Sequence, residues 1–295
     1  MNRNATSPAP RWSLDGRGRP RAWLPAGLAL TLALTPGCSE QQFSLDAAVK
    51  KLFEPRRTPQ QYMLIAVSDA DSDVRREAVA KVAASKQARL DWAVQGFAAI
   101  ALLENDPHAR SVAIRGLVQS DDPRAAEVCL KLLNHEDHPA SEVRPPDDVV
   151  RAEAAMALAT LLASDRVPAD SRETARETLL RLLAVDDDRH ARIAAARGLG
   201  FFQEAASLEA LIQGLRDSDF AVVHECEGSL VRLTGHTHHC NALDWEAWYE
   251  AHKSDAFANA GQIPESRRPP YDNRFEKFVY DSGQVLEWLW PGKKE

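Results

Sequence analysis

The densest set of chemistry-bearing side chains lies in the last third of the chain. His224 and Cys226 are followed by His236, His238, His239 and Cys240, so three imidazoles and a thiol fall within five consecutive residues. Imidazole and thiolate suit zinc and copper, which makes these six residues the candidate metal ligands. Their spacing matches no finger or ribbon, and the chain has no CxxC unit. The competing chemistry is oxidation. An exported chain with Cys226 and Cys240 in one region is expected to bridge them, and a loop of that size is worth about 3 kcal/mol on the chain-entropy account. The disulfide is the expected state, with the metal site as its alternative.

Elsewhere the reactive groups are isolated. Cys129 shares an apolar stripe with Ala125, Val128, Leu132 and Leu133 and is expected to be buried. No GxSxG, SxxK, GxxxxGK or GxGxxG occurs, and the pair Asp121-Asp122 sits where a helix start explains it. The expectation is a chain without catalytic residues, cofactor or small-molecule substrate.

The elements that carry these residues repeat. Five segments share a leading Asp, an apolar residue, a small residue four positions on and another apolar residue four beyond that. They begin at Asp71, Asp106, Asp147, Asp188 and Asp219, and four of the five place Arg four residues after the Asp: Arg75, Arg110, Arg151 and Arg192. Asp accepts backbone N–H bonds at a helix start, and positions four apart share one helical face. A small residue on that face lets a neighbouring helix approach closely. Partner helices are expected over residues 90–103, 123–134, 169–184 and 204–215. The recurring Arg is expected to pair with a cap Asp of the adjacent repeat.

The run Asp147, Val150, Arg151, Ala154, Ala157, Leu158 carries the pattern D-x-x-V-R-x-x-A-x-x-A-L almost completely. In this, residues 58–252 resemble the HEAT-repeat family, in its short form also called phycobilisome-lyase-like. The resemblance implies an all-α solenoid of about five helix pairs, whose function is to bind protein or peptide in the groove lined by the second helix of each pair. Some HEAT-like enzymes, the deoxyhypusine hydroxylases, hold two irons with four His-Glu pairs. Here only His224-Glu225 is in register, since the same positions read Arg76-Glu77, Ser111-Val112, Ala152-Glu153 and Ile193-Ala194, and His135-Glu136 falls out of register.

Residues 135–146, rich in proline and polar side chains, interrupt the repeat as an exposed loop. After the last repeat, Gly235 is placed to end a helix and Asp244 to cap a final one bearing Trp245, Trp248 and Tyr249. This ending resembles the "LTG…W…AWW" terminus of many bacterial HEAT-like proteins and implies an aromatic cap. Residues 253–295 form a Pro-rich aromatic tail. Trp245, Trp248, Trp288 and Trp290 are the candidate partner contacts.

The N-terminus is an address. Arg3, Arg11, Arg17, Arg19 and Arg21 precede an apolar run at 24–34, too short for a permanent span, which reads as a signal peptide over 1–37. The run Leu34-Thr35-Pro36-Gly37-Cys38 resembles the lipobox of bacterial lipoproteins, although the family prefers Leu at position 35 and Ala or Ser at 36. The resemblance implies a lipid on Cys38, an exported chain tethered to the cell envelope and a linker over 38–57. With five Arg confined to residues 1–37, the rest is more acidic than the overall net charge of −7, which argues against nucleic acid as a partner.

Overall fold

The computed structural model describes residues 57–262 together with Pro264 and Lys277. Cys38, Trp288 and Trp290 lie outside the described residues, which all belong to the second of the two units into which the chain divides, Arg56–Glu295.

Among the described residues there are eleven α-helices and no strand. They form five antiparallel pairs: α1 (Pro59–Ser68) with α2 (Ser72–Ala83), α3 (Asp91–Leu103) with α4 (Pro107–Ser120), α5 (Arg124–Leu133) with α6 (Asp148–Ala163), α7 (Arg172–Val185) with α8 (Arg189–Leu199), and α9 (Ala205–Gly214) with α10 (Phe220–Thr234). An eleventh helix, α11 (Ala242–Ala251), closes the stack against α9. The architecture is an all-α solenoid. No described helix is long and apolar enough to cross a membrane.

All five Asp caps form. Asp71, Asp106, Asp147, Asp188 and Asp219 each accept a backbone N–H from the first turn of the helix they precede. The capped helices α2, α4, α6, α8 and α10 stack directly on one another, while α1, α3, α5, α7 and α9 touch only sparsely along their own row. Side-chain size is the reason. Ala78, Ala113, Ala154, Ala195 and Cys226, the small members of the repeated pattern, are all buried in the capped row, so these backbones approach closely. The closely spaced row is the inner side of the stack.

The recurring arginines do not pair as the sequence suggested. Three of the four reach the acid two residues before the next cap, not the cap itself. Arg75 Nη2 lies 2.8 Å from Glu104 Oε1, Arg151 Nε 3.2 Å from Asp186 Oδ2 and Arg192 Nε 2.8 Å from Asp217 Oδ2. That acid also accepts the amide of the cap two residues on, for Glu104, Asp186 and Asp217 alike. The carboxylate thereby ties the turn before a capped helix to the arginine of the preceding repeat. In the one remaining case, Arg110, the equivalent position is Pro145, and the guanidinium meets that residue's carbonyl at 3.2 Å instead.

Candidate interaction surface

The free face of the inner row is cross-linked between repeats. Arg76 pairs with Asp106 at 3.2 Å, Arg115 with Glu153 at 2.6 Å and Arg197 with Glu225 at 2.9 Å. Arg197 Nη1 also sits 3.2 Å from Met156 Sδ, so α6, α8 and α10 are joined around one methionine. Two shallow grooves of ≈ 160 and ≈ 350 Å³ flank Met156 and Glu153, one towards α4 and one towards α8. Val149, at 45 % exposure, and Phe220, at 73 %, present apolar surface at the start of α6 and α10. Phe220 lies 6.3 Å from the exposed His224 ring.

The loop between α5 and α6 forms the second part of the surface. It begins with a 3-10 turn, His135–Asp137, and is pinned rather than loose: Val143 is buried, and the Arg144 N–H donates to the Leu102 carbonyl at 2.9 Å. Arg110 holds its far end, donating to the carbonyls of Arg144 at 2.8 Å and Pro145 at 3.2 Å. A cleft opens on each side of the loop. One, ≈ 530 Å³, lies against α7 and is lined by Arg151, Arg181, Asp186 and Asp187 as well as the 3-10 turn. The other, ≈ 450 Å³, has Asn105, Arg110, Ala140, Arg144, Pro145 and Asp147 around it.

At the C-terminal end, the six candidate metal ligands do not converge. His224 is exposed on α10, and Cys226 is fully buried with its Sγ against Gly214 of α9, where even a Cβ would lie 2.5 Å away. His236, His238, His239 and Cys240 belong to the turn after α10. Among the described residues no three His, Cys, Asp or Glu side chains are grouped to hold a metal. The metal alternative is therefore corrected. Cys226 is a buried thiol, raised by that burial, and the charge of Cys240 adds to it. Its side chain points to α9, while His239 and Cys240, both at positive φ, turn the chain so that the Cys240 amide meets α10 instead. Cys129 is a buried thiol on α5, and burial pushes it up to about 12.

What organises this end is a residue the sequence reading passed over. Glu227, fully buried on α10, accepts from Thr237 Oγ1 at 2.6 Å, the Cys240 amide at 3.3 Å and Trp245 Nε1 at 2.5 Å. A signal for it exists. Eight residues after each cap Asp the chain reads Val79, Ile114, Ala155, Ala196 and then Glu227, one carboxylate in an otherwise buried apolar column. Around it, His238 meets Trp245 edge-on at 4.8 Å, and Trp248 stacks on His252 at 4.9 Å and faces His236 at 5.0 Å. Burial pulls the His238 imidazole below its ordinary value against the opposing pull of Glu227 and Asp244.

Trp245 is thus a core residue at 0 % exposure and not a partner contact, while Trp248 stays half-buried. The last helix is capped by Asn241, whose side chain accepts from the amides of Leu243 and Asp244. Asp244 is three residues inside and instead accepts from Asn241 Nδ2 at 2.6 Å. Gly235 ends α10 at φ 72°, with the Asn259 carbonyl so close that a side chain there would collide. The start of the tail wraps back: Ala256 is buried, and the Gly261 amide donates to Arg232 O at 2.8 Å.

Comparison with known proteins bears on the middle of the chain. Residues 140–230 match the HEAT-repeat family. The match covers α6 to α10, the part of the inner row that contains Met156, Arg197 and Glu225. Among solved structures, crystal structures of two engineered proteins from the Northeast Structural Genomics Consortium are similar at 20 % identity each. One covers 67 % of this chain and 87 % of its own with a TM-score of 0.44, the other 80 % and 100 % with 0.46. No curated protein matches the chain. The match over residues 140–230 agrees with the helical-repeat fold and leaves the occupant of the inner row open.

Proposed function

We propose that this chain is a non-enzymatic protein-interaction scaffold, held at the bacterial cell envelope by a lipid on Cys38. The observation that carries the scaffold reading is the inner row. Five capped helices present one continuous face, and ion pairs between repeats hold its side chains in place before any partner arrives. A surface ordered in advance loses less entropy on binding, which is how a groove of many weak contacts gains affinity. The HEAT-repeat match supports the same reading. The lipid anchor rests on residues 24–38 of the sequence.

Two experiments separate these statements. A photo-reactive residue replacing Val149 on the inner row should yield a discrete adduct with another protein in native envelopes, and one replacing the exposed Glu177 on α7 should not. Equal adducts from both positions would remove the inner row as the binding face. For the anchor, labelled palmitate should enter the wild-type chain and be lost in Cys38→Ala; an unlabelled wild-type chain refutes it.

A further inference from the structure

Arg110 is the exception in an otherwise regular array. Arg75, Arg151 and Arg192 each hold a carboxylate supplied by the next repeat, and that hydrogen bond raises all three guanidinium groups above their ordinary value. Arg110 occupies the same place in its repeat, yet the residue that should carry the acid is Pro145. The side chain is only 2 % exposed and spends three donors on carbonyls: Ala101 at 2.8 Å, Arg144 at 2.8 Å and Pro145 at 3.2 Å. A guanidinium has five N–H donors, so two are left over, and its charge meets no carboxylate at ion-pair distance among the described residues. Asp147 is nearby but already caps α6 through Val150 N at 3.1 Å. Burial accordingly pushes Arg110 down to about 10, with the charge of Arg144 adding to it and those of Asp147 and Glu104 opposing.

This arginine does not face a closed core. It lines the ≈ 450 Å³ cleft beside the inserted loop, together with Asn105, the exposed Arg144 and, as the one carboxylate there, Asp147, which is engaged in capping α6. We propose that this cleft is a carboxylate-binding subsite, in which an acidic side chain of a partner polypeptide supplies to Arg110 and Arg144 the acid that Pro145 fails to provide. The carbonyl bonds alone would make Arg110 a staple for the loop, but they neutralise no charge. The array shows what the fold places there in the other three repeats. The inference rests on the scaffold reading and names the chemistry of one contact within it.

The test needs no partner protein, so its failure and that of the cross-linking experiment are distinguishable. The full chain is titrated with N-acetyl-glutamyl amide and with its glutaminyl counterpart at constant ionic strength, following the Arg110 Nε–Hε resonance. The glutamyl probe should move it saturably and the glutaminyl probe should not. Arg144→Gln, at the rim, should weaken the response about tenfold, the scale of one charge-assisted hydrogen bond. Pro145→Asp restores the acid in cis and should abolish the response while raising the unfolding temperature. Equal shifts from both probes, no shift from either, a response to inorganic phosphate alone, or a Pro145→Asp chain that binds as wild type would each overturn the proposal.

Discussion

Trp245 Nε1 donates to the Glu227 carboxylate across 2.5 Å, and neither residue has any exposed surface. Replacing that carboxylate with a methyl group would leave the indole N–H, the Thr237 hydroxyl and the Cys240 amide without their acceptor. Buried donors stripped of a partner cost about 1–3 kcal/mol each, with partial relief from relaxation. Glu227→Ala is therefore expected to lose roughly 3 kcal/mol of stability, and Glu227→Gln to recover part of it. Urea unfolding followed by tryptophan fluorescence measures both, and an unchanged midpoint in Glu227→Ala would show that the cap does not depend on this residue.

The acid limb of stability should be set in part by the arginine array. For Asp217, burial alone would raise the carboxyl, but the Arg192 hydrogen bond, the Asp219 amide and the charge of Arg192 outweigh it and hold the group below 3.8. Glu104 is held below its ordinary value in the same way through Arg75. A carboxylate lowered in the folded state contributes stability that is present above its unfolded value and lost as pH falls through the folded one. Stability should therefore decline below about pH 4. Asp217→Asn should flatten part of that decline and remove roughly 1 kcal/mol at neutral pH. Denaturant curves between pH 3 and pH 7 decide this, and an unaltered acid limb in the variant would count against the pairing.

The cap should respond at a milder pH. His238 is lowered from 6.5 by burial, so its neutral form contributes stability above that value which is lost as pH falls through the lowered one. Hydrogen-exchange protection in residues 235–252, taken relative to the intrinsic rate at each pH, should fall on acidification through that window before that of the rest of the solenoid. His238→Phe keeps an aromatic edge against Trp245 and should abolish the early step. If the variant opens at the same pH as wild type, the titrating group is another one.

Thiol reactivity offers a direct reading of the cap geometry. Cys129 and Cys226 are fully buried, and burial holds both thiols well above the ordinary cysteine range. Iodoacetamide at pH 8 is expected to leave both unmodified in the native protein and to label both in guanidinium. A Cys226 found in a reductant-sensitive link to Cys240 would contradict the placement of its sulfur against Gly214.

The fold was legible because its signals are local and repeated. An Asp before a helix, a small residue four positions into the stripe and a five-fold recurrence at spacings of 31 to 41 residues leave few architectures to choose between. The cap failed for the opposite reason. The run from His236 to Cys240 advertises metal chemistry by composition, but ligation requires three donors to converge, and no such group forms among the described residues. Trp245 was read as a contact because cores and interfaces use the same side chain, and only its buried partner distinguishes them. Glu227 and Arg110 could have been found from the aligned repeats. Glu227 breaks its column as a charge among apolar residues, and Pro145 breaks the column of acids that Glu104, Asp186 and Asp217 form, leaving Arg110 without one.

The central claim is that the inner row is a binding face, and quantitative capture of the tagged chain from its own envelope tests it most directly. The account predicts a stoichiometric protein partner that is lost when Val149→Lys and His224→Glu alter the inner row, and retained when Thr174→Lys and Glu177→Lys alter the exposed face of α7. A partner lost equally to both pairs of substitutions, or no protein partner at all, would contradict it.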